Sequence, residues 1–362
     1  YATADFLKYF KFTVNGSVYV TENRMNTAYD PWYGYNALTK GYVWVGHYRT
    51  TDTNYQQLLN FNHVIGLHSI DVLLGHEYSM QSQTSLSADK KNVALYGTNT
   101  ELSGAIINGD MGSDISKYNV EGFFMRAQYD YDNRYFGSVS FRRDGSSRFA
   151  PGHRWGNFWS AGVAWLIDKE SWFNAPWVDM LKVKASYGSQ GNDGISEYLY
   201  TDYYTIASAG GTSVTQNLAR KGNPDITWET NANLNVGVEF GLWNNRLSGG
   251  IDFFNRKTTD MLFQMATPYE SGYTSIWTNI GDMVNRGVEI ELRADLIRTK
   301  DIVWDFSVNM THYKNKLVKL PEQYKNNTTS DGKHVGRISG SYFLTEGESV
   351  FSFYLPTYAG VD

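Results

Sequence analysis

The feature that most limits what this chain can fold into is a two-residue period in hydrophobicity that returns along nearly its whole length. Val288, Ile290, Leu292, Ala294 and Leu296 alternate with Glu289, Glu291, Arg293 and Asp295, and Trp304, Phe306, Val308 and Met310 alternate with Asp305, Ser307 and Asn309. Successive side chains of a strand point to opposite faces, so this is the signature of a strand with one apolar and one polar face. The same period runs through Phe10 to Val20, Phe123 to Tyr131, Tyr135 to Phe141, Leu181 to Tyr187, Leu234 to Phe240 and Leu247 to Phe253. About eleven such strands are readable, and no amphipathic helix. Aromatic residues at 16% and 34 Gly favour pleated surfaces over helix interiors.

A transmembrane helix needs some eighteen consecutive apolar residues, and none occur. Spanning strands need no such run, because every second residue carries their apolarity. The connections separate a membrane barrel from a soluble sandwich. Short turns are expected near Gly66-Leu67, Asp132-Asn133, residues 167 to 180, Asn244-Asn245 and Thr299-Lys300. Longer links are expected at about residues 21 to 53, 79 to 117, 144 to 153, 189 to 225, 257 to 284 and 311 to 357. Short connections on one rim and long ones on the other mark an outer-membrane barrel, and the polar face suits a watery lumen. Eleven strands leave edges that hydrocarbon does not tolerate, so further strands are expected outside these residues.

Lys+Arg at 32 against Asp+Glu at 37 leaves a net charge of −5, which argues against nucleic acid as a partner. Without cysteine there is no disulfide, thiolate metal site or cysteine nucleophile. No phosphate loop, nucleophile elbow or two-histidine zinc helix occurs, and no catalytic, cofactor-binding or metal-binding residue is assigned. His63, His68 and His76 lack a coordinating carboxylate that the sequence can place. Asn108-Gly109-Asp110 with Asp114 lacks the full calcium-loop spacing and reads as a solvated loop.

Several blocks are recognisable in words. Arg143-Asp144-Gly145-Ser146-Ser147-Arg148-Phe149 precedes Arg154-Trp155-Gly156, then Ser186-Tyr187-Gly188-Ser189-Gln190-Gly191-Asn192. Asn223-Pro224-Asp225 with Trp228-Glu229 follows, then Ile280-Gly281, Asn285-Arg286-Gly287-Val288-Glu289 and the closing Tyr358-Ala359-Gly360-Val361-Asp362. In this order they resemble the SusC/RagA-like TonB-dependent outer-membrane transporters of Bacteroidetes. The resemblance implies an all-β fold, an antiparallel transmembrane barrel portion amounting to about half of a 22-stranded barrel. Residues 1–362 are then partial barrel, and the N-terminal plug and earlier strands are not among them. It also implies import driven by TonB through that missing region, under a SusD-like surface lipoprotein that lids the mouth, with outer-membrane lipid around the wall. An oligosaccharide is favoured over a peptide as cargo.

Arg142, Arg143 and Arg148 beside Asp144 read as a structural cluster at a strand end rather than an anion clamp. Arg126 and Arg293 are expected to pair with acids on adjacent strands. Trp159, Trp165, Tyr129, Tyr131 and Trp304 read as lipid-facing or girdle residues. Cargo contact is expected of the aromatic clusters read as loops: Trp32, Tyr33 and Tyr35, Tyr42 and Trp44, and Tyr198, Tyr200, Tyr203 and Tyr204. The alternative is a secreted glycan-binding or glycan-cleaving β-protein.

Overall fold

The computed structural model describes all residues except 209–213, 327, 329–331, 333, 334, 357, 359, 361 and 362. Its strands are β1 (Ala2–Phe6), β2 (Phe10–Tyr29), β3 (Tyr42–Ile65), β4 (His68–Val93), β5 (Ala105–Tyr131), β6 (Tyr135–Ser146), β7 (Trp155–Leu166), β8 (Val178–Asn192) and β9 (Tyr203–Ser208). Then come β10 (Val214–Arg220), β11 (Glu229–Leu242), β12 (Leu247–Thr259), β13 (Leu262–Ala266), β14 (Ser275–Asn279), β15 (Asp282–Arg298), β16 (Val303–Lys319), β17 (Gly336–Ser339) and β18 (Tyr342–Thr345). Twelve of them form one sheet in the order β1-β2-β3-β4-β5-β6-β7-β8-β11-β12-β15-β16, and the other six form three hairpins inserted in links. No helix among the described residues is long and apolar enough to cross a membrane.

The chain divides into two compact units. The first comprises residues 1–3, 13–57 and 76–121, and holds the links between β2 and β3 and between β4 and β5. Its small core is Val43, Val93 and Ala105, and Glu101 fastens the second link by accepting from Arg24 at 2.7 Å and Asn26 at 2.8 Å. The second unit comprises residues 4–12, 58–75 and 122–362, and every tight turn falls in it. Asp132 and Asn133, at φ 57° and 49°, both adopt the left-handed conformation that a hairpin turn matching strand twist requires, and the Asn133 amide donates to Asp130 at 2.8 Å.

In the second unit the apolar face is bare. Val139 is 51% exposed, Val163 63%, Ile251 48% and Phe306 54%, with no second layer among the described residues to cover them. Water does not tolerate a continuous apolar wall of this size, whereas hydrocarbon does. Strand register confirms which medium it suits. The uninterrupted apolar run on this face ends at Phe141, Trp159, Tyr187, Ala232, Phe253, Val288 and Met310 on β6, β7, β8, β11, β12, β15 and β16, and the next residues are Arg143, Asn157, Ser189, Thr230, Asn255, Arg286 and His312. Relative to the hydrogen-bonded rows, that limit slips by three outward positions across six strand spacings, about 20 Å against about 29 Å. The slant is about 35°, the angle at which barrel strands cross a bilayer. A level apolar band on tilted strands produces this staggering.

The short-turn rim carries the aromatic belt. Tyr135 stacks with Trp165 and Tyr131, Trp172 meets Trp165 edge-on, and Trp177 stacks on Trp243. Glu170 fastens the belt by accepting from the Tyr135 hydroxyl, from Trp165 Nε1 at 2.9 Å and from Arg134 at 3.3 Å, which hold its carboxyl below the usual range.

Three sequence expectations need correction. The links expected at 21 to 53 and 79 to 117 shrink to 30–41 and 94–104, because β2 to β5 run far past the residues where alternation fades. Hydrophobic alternation stops where the outer face turns polar, at residues such as His76 and Glu121, but backbone pairing needs no apolar side chain to continue. For the same reason Tyr42 and Trp44 lie in β3, not a loop, and Asn108 to Asp114 lie in β5. The main sheet also has twelve strands, not about eleven, because β1 is too short to show a period.

If the apolar face meets lipid, Leu292→Lys, in the middle of the β15 row, should destabilise the protein in a bilayer by about 2–4 kcal/mol. Glu291→Gln, on the adjacent residue, should stay within about 0.5 kcal/mol. Denaturant unfolding in lipid vesicles checks both.

Candidate functional site

The opposite face of the second unit is polar, and its charges are matched across strands. Lys184 Nζ lies 2.7 Å from Glu239 and 3.0 Å from Asp252, and Lys182 Nζ lies 3.1 Å from Glu239. Register places Gly237 between Lys184 and Asp252, and a Cβ there would stand 2.1 Å from the Asp252 carboxylate. The glycine keeps open the path along which the ion pair crosses three strands. Further round, Arg126 faces Asp71 at 3.6 Å, and Arg142 Nε holds Asp144 at 2.6 Å. Arg293 approaches Asp305 at 3.9 Å and its own strand's Asp295 at 4.0 Å. As expected, these arginines pair with acids. Between the charged groups lie Ser138, Ser140, Ser160, Ser186, Asn233 and Asn235, which line a groove of about 540 Å³ with Arg142 and Asp144. Glu289 and Glu291 continue the face beside Asp252.

Partly exposed ion pairs add little stability. Their consequence is chemical: the wall presents hydroxyls, amides and largely neutralised charges, with Glu289 and Glu291 as acids that no described cation pairs.

At the long-link end the recognised sequence blocks turn into fasteners. Phe149, Ile195, Leu199 and Ile226 form a buried cluster, joined by Tyr200, Trp228, Leu262 and Trp277. Arg148 bridges to Glu197 at 3.0 Å and to the Asp193 carbonyl at 3.0 Å, while Ser146 donates to Asp193 at 2.7 Å. Asn223 donates to the Trp277 carbonyl at 2.9 Å, and Trp228 Nε1 to the Arg154 carbonyl at 2.6 Å. Asn279 accepts from the Thr227 amide at 2.8 Å and donates to the carbonyls of Thr227 and Asp260 at 2.8 and 3.0 Å. Arg337 lies over the rings of Tyr324 and Phe263, and the Tyr324 hydroxyl oxygen accepts from Arg337 at 3.1 Å and from the Ala266 amide at 2.9 Å. Four long segments, those after β6, β8, β12 and β16, are thereby sewn into one collar. Of the closing motif, Ala359, Val361 and Asp362 lie outside the described residues.

The expected aromatic residues divide. In the first unit Trp32, Tyr33 and Tyr35 are strongly exposed, Trp32 meeting Tyr96 edge-on. Tyr42 leans on Tyr29, and Trp44 lies across Gly46. In the second unit Tyr200 packs into the collar core, whereas Tyr198, Tyr203 and Tyr204 are exposed. Tyr203 and Tyr204 begin the β9–β10 hairpin, whose base is pinned by Asp202, accepting from Lys221 and from the Gly222 amide at 2.9 Å each. The histidines are dispersed: His63 packs on Tyr9, His68 bonds the Tyr129 hydroxyl and His76 pairs with Glu121. Among the described residues no three His, Asp or Glu converge on a metal position. Sequence reading missed the Lys184–Glu239–Asp252 bridge and the Asn279 clasp, since both depend on register and on links meeting in space.

Residues 1–357 match the family described as TonB-dependent receptor-like, β-barrel. The chain is 29% identical to TonB-dependent receptor P3 of Formosa agariphila over 86% of its own length and 32% of that protein's. It is 33% identical to TonB-dependent receptor SusC of Bacteroides thetaiotaomicron over 57% of its length and 21% of that protein's. The structure of the RagAB peptide transporter superposes with a TM-score of 0.89 at 26% identity, covering 99% of this chain and 39% of that one. The matches thus span between about a fifth and two fifths of the length of these relatives.

Replacing Asn279 by Ala should leave its backbone partners unsatisfied, costing about 1–3 kcal/mol locally, and admit protease cleavage within 260–281. Lys221 and the Gly222 amide hold the Asp202 carboxyl below its usual range. A depressed carboxylate contributes order above its unfolded pKa and loses it as pH falls through the folded one. Hydrogen-exchange protection of β9–β10 should therefore hold from neutral pH to about pH 4 and fall below it. In Asp202→Asn the protection should be low throughout.

Proposed function

Because the chain belongs to the TonB-dependent receptor-like β-barrel family, we propose that it builds part of an outer-membrane importer whose polar wall conducts an uncharged, hydrogen-bonding oligomer into the periplasm. The observation that carries this reading is the wall's internal neutralisation. With Lys182, Lys184, Arg126 and Arg142 matched by Glu239, Asp252, Asp71 and Asp144, most of the wall's charge is cancelled, Glu289 and Glu291 disfavour an anionic cargo, and a chain of hydroxyls or amides finds partners at every step. An oligosaccharide fits first, because Trp32, Tyr33, Tyr35, Tyr198, Tyr203 and Tyr204 present exposed rings on which sugars stack, Tyr203 with Arg220 over one face. Tyr42, Trp44 and Tyr200 support the surrounding structure in this reading. The plug, its engagement by TonB and docking of a SusD-like surface lipoprotein on the long links belong to the same proposal, as does the absence of any covalent chemistry. Similarity to a peptide transporter favours a second cargo, an oligopeptide, which presents a comparable series of amides.

Cells bearing the complete receptor should accumulate a fluorescent neutral oligosaccharide only while TonB is present. Joint alanine replacement of Trp32, Tyr33, Tyr35, Tyr203 and Tyr204 should weaken apparent affinity about tenfold or more. Uptake of a labelled peptide with exclusion of every sugar tested selects the second cargo, and uptake that persists without TonB rejects coupled import.

A further inference from the structure

On the apolar face the band ends differently from strand to strand. Across β6 to β8 the residues just past it are Arg143, whose guanidinium lies over the Trp155 ring, then Asn157 and Ser189. Across β12, β15 and β16 basic residues predominate. Beyond Phe253, Val288 and Met310, the same face carries Lys257, Arg286, His312, Lys314 and Lys316, all exposed, with Asn255 and Val284 between them. Arg286 stands directly opposite Lys314 in the β15–β16 ladder. Like charges so placed repel, with Cβ atoms only about 5 Å apart. Among the described residues neither is relieved from within the chain: the side chain of Arg286 makes one hydrogen bond, from Nε to Asn255 Oδ1 at 3.4 Å, and Lys314 and Lys316 have no carboxylate partner. Asp282, the acid seated among them, is drawn to Lys257 at 3.7 Å.

The depth of the cluster identifies what relieves it. Each basic side chain lies one to three outward positions past the end of its strand's uninterrupted apolar run, so the group begins at the hydrocarbon boundary and rises into the headgroup layer. It also lies on the side of the sheet away from the polar wall, out of reach of any cargo. We propose that the outer wall of β12, β15 and β16 is a binding site for a phosphorylated headgroup of an outer-leaflet lipid, with Arg286, Lys314 and Lys316 as its principal phosphate contacts. Arg286 supplies a planar fork for two phosphate oxygens, the lysines supply mobile point charges, and the Val288, Ile290 and Met310 row beneath receives the acyl chains. A bound phosphate turns a repulsive pair into a bridged one, so the lipid stabilises the β15–β16 pairing.

The test uses the complete receptor in phosphatidylcholine nanodiscs, with and without lipid A, a bis-phosphorylated glycolipid. Lipid A should raise the thermal midpoint by about 3 °C or more, and the triple variant Arg286→Gln, Lys314→Gln, Lys316→Gln should lose that rise. Lys182→Gln, on the opposite face, should keep it. Native mass spectrometry of the unaltered receptor should retain lipid A in preference to phosphatidylcholine, which keeps the test open if the triple variant does not fold. An equal rise in the triple variant, no preferential retention, or the same rise from inorganic phosphate alone overturns the proposal.

Discussion

Backbone amides and carbonyls that enter hydrocarbon must bring their own hydrogen-bond partners, because no water is there to satisfy them. Strands meet that demand only by pairing side by side, which leaves the side chains free to divide between two media. One face of the second unit is bare and apolar up to a slanted limit, and the other carries matched charges, hydroxyls and amides. Neither face makes sense alone. An exposed apolar wall in water would aggregate, and a charged wall in lipid would be expelled, so the sheet specifies its surroundings as firmly as its own pairing.

The division of labour between rims follows from the same demand. Tight turns cost few residues and leave little backbone to satisfy, and here they bear the aromatic belt with Glu170 as its anchor. The long links must satisfy their backbones by themselves, and they do so through side chains: Asn223, Asn279, Arg148, Trp228 and Tyr324 each bind main chain or side chain of another link or strand end. Blocks of sequence that look like a ligand motif when read linearly, Arg143 to Phe149 above all, are there because the links have to be fastened to one another. The surfaces left for recognition are the exposed rings and the neutralised wall.

The sheet was legible because one-sided burial forces a period of two, and β15 and β16 display it without interruption. Where the outer face turns polar the period loses its contrast, and the continuations of β2 to β5 therefore read as loops although the pairing persists. Turn positions such as Asp132-Asn133 were legible because left-handed backbone restricts residue choice. The cross-strand bridge over Gly237 was not, since it depends on register between β8, β11 and β12, and a single sequence fixes faces but not offsets. Tyr200 illustrates the matching limit at the site. An aromatic residue in a link looks the same in sequence whether it faces solvent or, as here, packs against the buried cluster of Phe149, Ile195, Leu199 and Ile226.

The direct test of a wall between two media is to place a nitroxide at each position from 286 to 296 in turn and measure its collisions with oxygen, which dissolves in lipid, and with a nickel chelate, which stays in water. Even positions from 288 to 296 should be reached by oxygen and shielded from nickel, odd positions should show the reverse, and position 286 should already be accessible to nickel. Uniform accessibility along the segment, or even positions shielded from both reagents as in a sealed protein core, would contradict the account.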